Sequence, residues 1–129
     1  MSQETLAVFH KYNDALRKGD FPAVFATMAD DIIWHQPGQH STSGTVVGKE
    51  KLGQHLAQFS VVTNGTFKVL VNWVSDNRNL VAANVTFLGE KDGQKLDMNG
   101  IDLFRIEDGL IREVWLFSSQ QDLEDAFWG

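Results

Sequence analysis

The chain of 129 residues contains no cysteine and only 2 prolines. Without cysteine it has no disulfide framework, no thiolate nucleophile and no thiolate metal site. No apolar run approaches the roughly 20 residues that span a bilayer. The first residues, MSQETLAVFHKY, also lack the apolar core of a signal peptide. We therefore expect a cytoplasmic protein with no membrane partner.

Basic residues are scarce as well. The 11 lysines and arginines are outnumbered by 17 acidic residues, which gives a formal net charge of -6. No cluster of basic residues interrupts this pattern, so nothing is positioned to follow a phosphate backbone. We do not expect a nucleic-acid partner.

Metal-ligand spacing is missing too. The 4 histidines, His10, His35, His40 and His55, form no HExxH motif or comparable pattern. The sequence therefore predicts no metal site, and it favours surface positions for these side chains. We expect no cofactor either.

What the chain does contain is enough apolar sequence, 43% of its residues, for one core. A chain of this length and mixture is typical of one domain, here residues 1–129. Helical spacing predicts a helix over residues 4–18 ended by Gly19, a short one capped by Asp20, and a third over residues 49–61. A short strand over residues 32–36 precedes the third helix, and a loop rich in Gly, Ser and Thr separates the two.

In the second half of the chain the apolar period changes to two. It predicts a meander of four long antiparallel strands over residues 67–74, 80–88, 95–106 and 110–118. Gly89 and Gly100 inside these strands suit bulges or bends, which would curl the sheet and leave a conical cavity.

Several of the predicted strands are apolar on both faces. Helices can cover one face of the sheet, and a second subunit is the simplest cover for the other. We therefore expect a homodimer through the sheet face. Trp73, Trp115 and Phe117 are expected to pack on the sheet or to form the dimer contact.

This order of elements resembles the nuclear transport factor two-like cone, also called cystatin-like. The segments HKYNDALRKGDFPAVFATMADDIIWHQPG, SGTVVGKEKL and NGIDLFRIEDGLIREVWLF are similar to the SnoaL-like branch of that superfamily, which includes ketosteroid isomerases and limonene epoxide hydrolases. The resemblance covers about residues 5–118. It implies an α+β fold in which a curved antiparallel sheet wraps around three helices.

The resemblance also implies site residues. Ketosteroid isomerases use a tyrosine and a protonated aspartic acid to stabilise an oxyanion, and the matching positions hold Tyr12 and Asp102. Their proton-shuttling aspartate is replaced here by Gln36, and an amide cannot carry a proton at neutral pH.

Residues that two related types of enzyme use are also missing from this chain. Limonene epoxide hydrolases use two aspartates and an arginine. At the positions that resemble these, this chain has Asn84, Leu116 and Ala82, so that triad is absent. SnoaL-type cyclases are similar to this chain except that their acid/base aspartate falls at Leu116.

Asp102 is also notable without any resemblance. Strand alternation places it on an otherwise apolar stripe formed by Leu96, Met98, Gly100, Phe104 and Ile106. A carboxylate there would either pair with a cation or have a raised pKa and donate a hydrogen bond. The alternative is that Asp102 only bonds to a nearby backbone amide.

Around Asp102 and Tyr12 we expect a ligand pocket. Its predicted lining includes Trp34 as a wall and Gln36 as a polar contact, together with Asn84, Met98, Phe104 and Leu116. We expect Phe127 and Trp128 to fold back over the mouth of the cone or onto a partner.

The residues do not single out one proton-accepting group. His35 should point away from the pocket, but a one-residue slip of its strand would bring it inside as a base. The proton could equally go to His40 from the loop, to a water held by Gln36 and Asn84, or to an ionised Asp102.

Two functions fit these residues. The first is an enzyme without a cofactor, of the isomerase, cyclase or lyase type, that binds a small apolar carbonyl compound and stabilises an enolate or oxyanion. The alternative is a dimeric, non-catalytic binder of a hydrophobic metabolite. An assembly module with a filled cavity is a third possibility.

Overall fold

The computed structural model describes residues 2–129. These residues form four helices: α1 (Ser2–Lys18), α2 (Phe21–Ala26), α3 (Lys49–Val62) and α4 (Gln121–Trp128). They also form six strands: β1 (Met28–Gln36), β2 (Gly44–Val47), β3 (Lys68–Asn77), β4 (Leu80–Lys91), β5 (Gln94–Glu107) and β6 (Leu110–Ser118). None of the helices in this part of the chain is long and apolar enough to cross a membrane.

All six strands belong to one curved sheet with the order β2-β1-β6-β5-β4-β3. Neighbouring strands are antiparallel except β1 and β6, which are parallel. The predicted α+β fold, a curved sheet around helices, is thereby confirmed. The helix count is corrected from three to four, because the C-terminal segment forms α4.

Local signals explain the first helices. Gly19 ends α1 with a φ of +71°, a left-handed conformation that glycine adopts without strain. Asp20 then caps α2, since its carboxylate accepts the backbone N–H of Ala23 at 3.2 Å. Pro22 is tolerated in the first turn of α2, where its missing N–H has no helical partner.

Two elements differ from the sequence prediction. β1 begins at Met28, four residues before the predicted strand. β2 lies in the segment predicted as a loop, and it pairs with β1 from Ile33↔Val47 to Gln36↔Gly44. Its four residues are too few to show an alternating pattern.

Bulges or bends were predicted at Gly89 and Gly100, and the bulge alternative is wrong. The β4–β5 pairing runs without interruption through both glycines, and the register shifts lie elsewhere in β1, β3 and β5. Glycine is required at position 100 for lack of space. A Cβ atom there would collide with the carbonyl oxygen of Phe117 and approach the Phe87 ring to 2.9 Å.

The core lies between the concave face of the sheet and the helices. On the α1 side, the rings of Phe9 and Tyr12 pack against Phe104 of β5 with centroid distances of 5.2 and 5.3 Å. Phe9 and Phe104 are almost completely buried. This packing fixes α1 across the sheet and leaves a cavity beside it.

Candidate functional site

The cavity has a volume of about 570 Å³ and lies between the sheet and helices α1, α3 and α4. Most of its wall is apolar, and the aromatic part includes Phe9, Trp34, Phe59, Phe67, Phe87, Phe104 and Trp128. A volume of this size accommodates a small organic molecule. Tyr12, Gln36, Asp102 and Glu124 bring polar groups to the wall, as do Asn13, Ser60 and Ser118 and the cations Arg17, Lys18 and Lys68.

Asp102 lies in the middle of β5, between Ala83 of β4 and Leu116 of β6. Its half-buried side chain reaches the cavity, where protein atoms replace much of the water that would solvate an exposed carboxylate. Burial raises the pKa of Asp102 from 3.8 to about 7, and the charge of Glu124 adds to this effect. Near neutral pH this carboxyl group is therefore protonated in a substantial fraction of molecules.

Tyr12 reaches the same cavity from α1 and is 6% exposed. Burial, and then the nearby charge of Asp102, raise the pKa of its hydroxyl group well above the usual range. Tyr12 therefore remains a hydrogen-bond donor at every physiological pH.

Glu124 is a cavity residue that the sequence interpretation missed. It lies on α4 and is only 5% exposed. Burial raises its pKa, while a hydrogen bond from Gln121 and the nearby indole N–H of Trp128 act in the opposite direction. A weak signal was present in the sequence, because Glu124, Phe127 and Trp128 share one face at the spacing of a short helix.

Gln36 forms a buried hydrogen-bond cluster with Trp34 and His55. Its side-chain oxygen Oε1 accepts from Trp34 Nε1 at 3.1 Å and from His55 Nε2 at 3.0 Å. An indole N–H can only donate, so this contact fixes which end of the Gln36 amide is oxygen. His55 must then carry its proton on Nε2, and the Nε2 amide group of Gln36 is left for the cavity.

The prediction that all histidines lie at the surface is wrong for His55. It is 7% exposed on the inner side of α3. Burial lowers its pKa, and the nearby charge of His40 acts in the same direction. His55 is therefore a neutral donor that holds Gln36 in place.

Several predicted pocket residues line the cavity together with Tyr12 and Asp102. These are Trp34, Gln36, Phe104 and Leu116. Met98 shares the inner face of the sheet but is packed into the core instead, where Ser118 Oγ lies 3.1 Å from its sulfur atom. Met98 is therefore beside the cavity wall and not part of it.

Asn84 was predicted to line the pocket, but the structure places it elsewhere. It lies on the outer face of the sheet, because the cavity-facing residues of β4 are its neighbours Ala83 and Val85. Its Oδ1 atom accepts from Asn72 at 3.0 Å, and its Nδ2 atom donates to the Gly100 carbonyl at 3.3 Å. Asn84 therefore cannot contact a ligand or hold a water together with Gln36.

His35 also lies on the outer face. Parallel pairing places Trp34 opposite Val114 and His35 opposite Trp115, so His35 points away from the pocket as the sequence favoured, and the alternative of a one-residue slip does not occur. His35 Nε2 lies 2.6 Å from Glu113 Oε2, and this hydrogen bond lowers the pKa of Glu113. The imidazole also stacks on Trp115 with a centroid distance of 5.5 Å.

His40 lies outside the cavity as well, in the segment between β1 and β2. Its ring is 6.4 Å from the ring of Trp128, and its Nδ1 atom accepts the backbone N–H of Thr42 at 3.2 Å. Burial lowers the pKa of His40. Trp128 belongs to the cavity wall, and His40 lies behind it, outside the lining.

The C-terminal aromatics fold back onto the chain's own core. Phe127 and Trp128 are each 5% exposed, and the Trp128 ring lies 4.7 Å from that of Phe59. Lys91 Nζ donates to the carbonyls of Phe127 and Trp128 at 3.2 and 2.8 Å, which satisfies the free end of α4. Helix α4 therefore forms part of the cavity wall.

Elsewhere in the structure there are fewer features of a functional site. Among residues 2–129, no group of three or more His, Cys, Asp or Glu side chains is arranged to hold a metal ion. A second concavity of about 590 Å³ lies between α1 and the turns after β3 and β5, and it is lined by acidic and other polar groups such as Glu4, Asn79 and Glu107. It contains none of the predicted site residues.

The family comparison matches the SnoaL-like domain to residues 9–114. This chain belongs to the SnoaL-like family. No curated protein matches the chain. Helix α4, with Glu124, lies beyond the matched residues.

Solved structures agree with this assignment. A cystatin-like protein of unknown function from Xanthomonas campestris is 40% identical, with a TM-score of 0.92 over 97% of this chain and 98% of that one. A candidate SnoaL-like polyketide cyclase from a Jannaschia species is 18% identical, with a TM-score of 0.80 over 99% and 94%. TerC, co-crystallised with polyporic acid, is 14% identical, with a TM-score of 0.84 over 98% and 99%. The last two show the fold alone.

Proposed function

We propose that this SnoaL-like protein binds a compact, mostly apolar carbonyl compound in the cavity and converts it by acid–base chemistry of its own side chains. The reaction is of the isomerase, cyclase or lyase type and passes through an enolate or related oxyanion. One observation carries the proposal. Asp102 and Tyr12 face the same apolar cavity, where Asp102 has a pKa of about 7.

The two groups act as hydrogen-bond donors to the oxygen on which charge develops. Tyr12 donates its hydroxyl proton, and the protonated form of Asp102 donates its carboxyl proton. Each preorganised donor in a site shielded from water contributes about 3 kcal/mol to transition-state stabilisation. The Gln36 amide group supplies a further donor, which orients a second oxygen of the ligand.

The character of the ligand follows from the wall. Phe104, Leu116 and Trp34 offer apolar surface for a ring system, and apolar atoms make up most of the wall. TerC, which has the same fold, was co-crystallised with polyporic acid, and the Jannaschia protein is a candidate polyketide cyclase. Both support a cyclic, oxygen-bearing ligand class for this chain.

A non-catalytic binder is the second candidate. Gln36 favours it, because it replaces the aspartate that shuttles protons in the ketosteroid isomerases that this chain resembles. The Gln36 oxygen is already occupied by Trp34 and His55, and an amide carries no proton at neutral pH. In this function the donors would only recognise an oxygen of the ligand.

A ligand screen followed by product analysis separates the two candidates. Small lipophilic ketones are tested for thermal stabilisation, and the stabilising ones are incubated with wild-type protein, Asp102→Asn and the control Asp97→Asn. Asp97 is an exposed acid on the same strand. An enzyme loses activity about 100-fold or more in Asp102→Asn only, whereas equal rates contradict the catalytic role. A ligand returned unchanged identifies a binder, and no stabilisation at all rejects both candidates.

We further propose that the outer sheet face pairs with a second copy of the chain. The pairing register aligns Trp73, Asn84, Ile101 and Phe117 in one row across four strands. Trp73 and Phe117 are each 54% exposed, although both are large and apolar. The helices cover the other face, so a second copy is the partner that would cover this row.

A further inference from the structure

We propose that Glu124 is the proton-accepting carboxylate of the cavity, and that it works with Asp102 as a pair that holds one proton. The inference rests on the proposed enzymatic function and adds the base that the sequence does not reveal. The base comes from the C-terminal helix and not from the end of β1, where Gln36 lies.

Glu124 is placed for this role by the face of α4 on which it lies. It shares the inner face of the helix with Phe127 and Trp128, whereas Asp122 on the same helix is exposed. Among residues 2–129, no lysine or arginine forms an ion pair with Glu124. A buried carboxylate without a cationic partner is costly, and such groups are concentrated at functional sites.

A network of hydrogen bonds orients the Glu124 carboxylate. Gln121 Nε2 donates to Glu124 Oε1 and to Asp125 Oδ1, both at 2.9 Å. Asp125 Oδ2 in turn accepts the backbone N–H of Gln39 at 3.1 Å, which ties α4 to the segment after β1. Gly38 permits this approach, because a side chain there would collide with Gln121 and Asp125.

The surroundings determine which carboxyl group holds the proton. Glu124 faces Asp102 of β5 and accepts from Gln121, and the indole N–H of Trp128 also lies close to it. No donor hydrogen-bonds to Asp102 within the part of the chain that the structure describes. Donors stabilise the ionised form, so the shared proton resides on Asp102 and the negative charge on Glu124.

Other titratable groups lie near the pair, and one of them, Asp125, acts against this order. Asp125 on α4 raises the pKa of Glu124, and Tyr12 on α1 stays protonated beside Asp102. His40, from the segment between β1 and β2, interacts with Asp125 and has a lowered pKa because it is buried. At neutral pH the pair thus supplies one carboxylic acid and one carboxylate, and Tyr12 adds a phenol, in a cavity whose lining also includes Arg17, Lys18 and Lys68.

In the resulting reaction, Glu124 takes a proton from the carbon next to the ligand carbonyl. The electrons of the broken C–H bond form the C=C bond of an enolate, and the carbonyl π electrons move onto oxygen. Tyr12 and Asp102 hold this oxygen by hydrogen bonds. Glu124 then returns its proton to a carbon of the enolate system, so that the protein regains its starting state and no further reactant is consumed.

The pairing is tested by NMR titration of the Asp102 carboxyl group, which needs no ligand. We expect Glu124→Gln, which is nearly isosteric, to lower the pKa of Asp102 measurably, while the exposed-acid control Asp122→Asn leaves it unchanged. Circular dichroism and thermal unfolding establish that both variants fold. An unchanged Asp102 pKa in folded Glu124→Gln would overturn the pairing.

The catalytic role is tested with 2-tetralone, a compact apolar ketone, by following deuterium uptake next to its carbonyl in D₂O. We expect Glu124→Gln to bind the ketone as wild type does but to exchange its protons about 100-fold more slowly. Asp102→Asn should slow the exchange while Glu124 is retained. Exchange in Glu124→Gln at the wild-type rate would reject Glu124 as the base.

The two tests fail in different ways. Wild-type protein that exchanges no faster than buffer would count against the proposed function and the catalytic role together, whatever the titration shows. Fast wild-type exchange that depends on Asp102 but not on Glu124 would leave the proposed function standing and remove only this inference.

Discussion

Asp102 on β5 and Glu124 on α4 face one apolar cavity, close enough that the charge of Glu124 raises the pKa of Asp102. The two residues are 22 positions apart in the sequence and belong to different elements. Holding two acids in such a place costs stability whenever both are ionised. This cost has consequences that can be measured without knowing the ligand.

Stability should decrease as the pH rises toward neutrality. The pKa of Asp102 is about 7 in the folded protein and 3.8 ordinarily, so between these values the folded state binds more protons than the unfolded state. The stability present below pH 4 is therefore lost as the pH rises through 7, by up to about 4 kcal/mol. Glu124, whose pKa is also raised, contributes in the same direction.

Urea unfolding of wild-type protein and Asp102→Asn between pH 5 and 8 measures this effect. Buried His55 has a lowered pKa and acts in the opposite direction, so the difference between the two proteins is the informative quantity. We expect Asp102→Asn to gain stability relative to wild type as the pH rises, and Asp97→Asn to show no such trend. A pH-independent difference would mean that Asp102 is solvated normally.

Replacement of Gln36 by leucine should destabilise the fold. The substitution leaves the buried N–H groups of Trp34 and His55 without their acceptor, at a cost of about 1–3 kcal/mol for each group. Gln39→Leu, at an exposed position on the following segment, is the control and should change stability by less than about 0.5 kcal/mol. Similar unfolding free energies for the two variants would contradict the role given to the Gln36 oxygen.

Two glycine-to-alanine substitutions should have opposite signs. Gly100→Ala places a methyl group against the Phe117 carbonyl, and such overpacking typically costs about 1–3 kcal/mol. Gly53 lies inside α3 with its nearest neighbour, Phe25, at 3.7 Å, so alanine fits there and should stabilise the helix by about 0.5–1 kcal/mol. Thermal unfolding midpoints check both, and a stabilised Gly100→Ala would show that the strands can separate at this point.

The proposed dimer is tested by analytical ultracentrifugation. Trp73→Lys introduces a charge into the row of residues on the outer sheet face, and we expect it to shift the protein toward monomer. Val61→Lys is the control, since Val61 is 77% exposed but lies on α3 away from this face. Wild-type protein that sediments as a monomer, or a Trp73→Lys variant that remains dimeric, would reject this interface.

The sequence was sufficient where a signal is local or repeats along one element. The helical spacing in α1, the glycine after it and the period of two along β5 predicted how Tyr12 and Asp102 are oriented. The resemblance carried by residues 5–118 then predicted the cone fold, which the structure confirms. Asn84 was assigned to the wrong face because β4 is apolar on both sides, which leaves its alternation ambiguous.

The tertiary structure alone determined the rest of the cavity. Glu124 looks like one of several acids in a charged tail, and His55 looks like a polar residue on an amphipathic helix. Each is buried only because distant segments meet it: α4 packs beneath Phe59 and Phe67, and α3 brings His55 to the Gln36 amide. Desolvation and hydrogen bonding depend on these through-space neighbours, which residue order does not specify. For that reason the sequence identified Asp102, but only the fold revealed Glu124 as its partner.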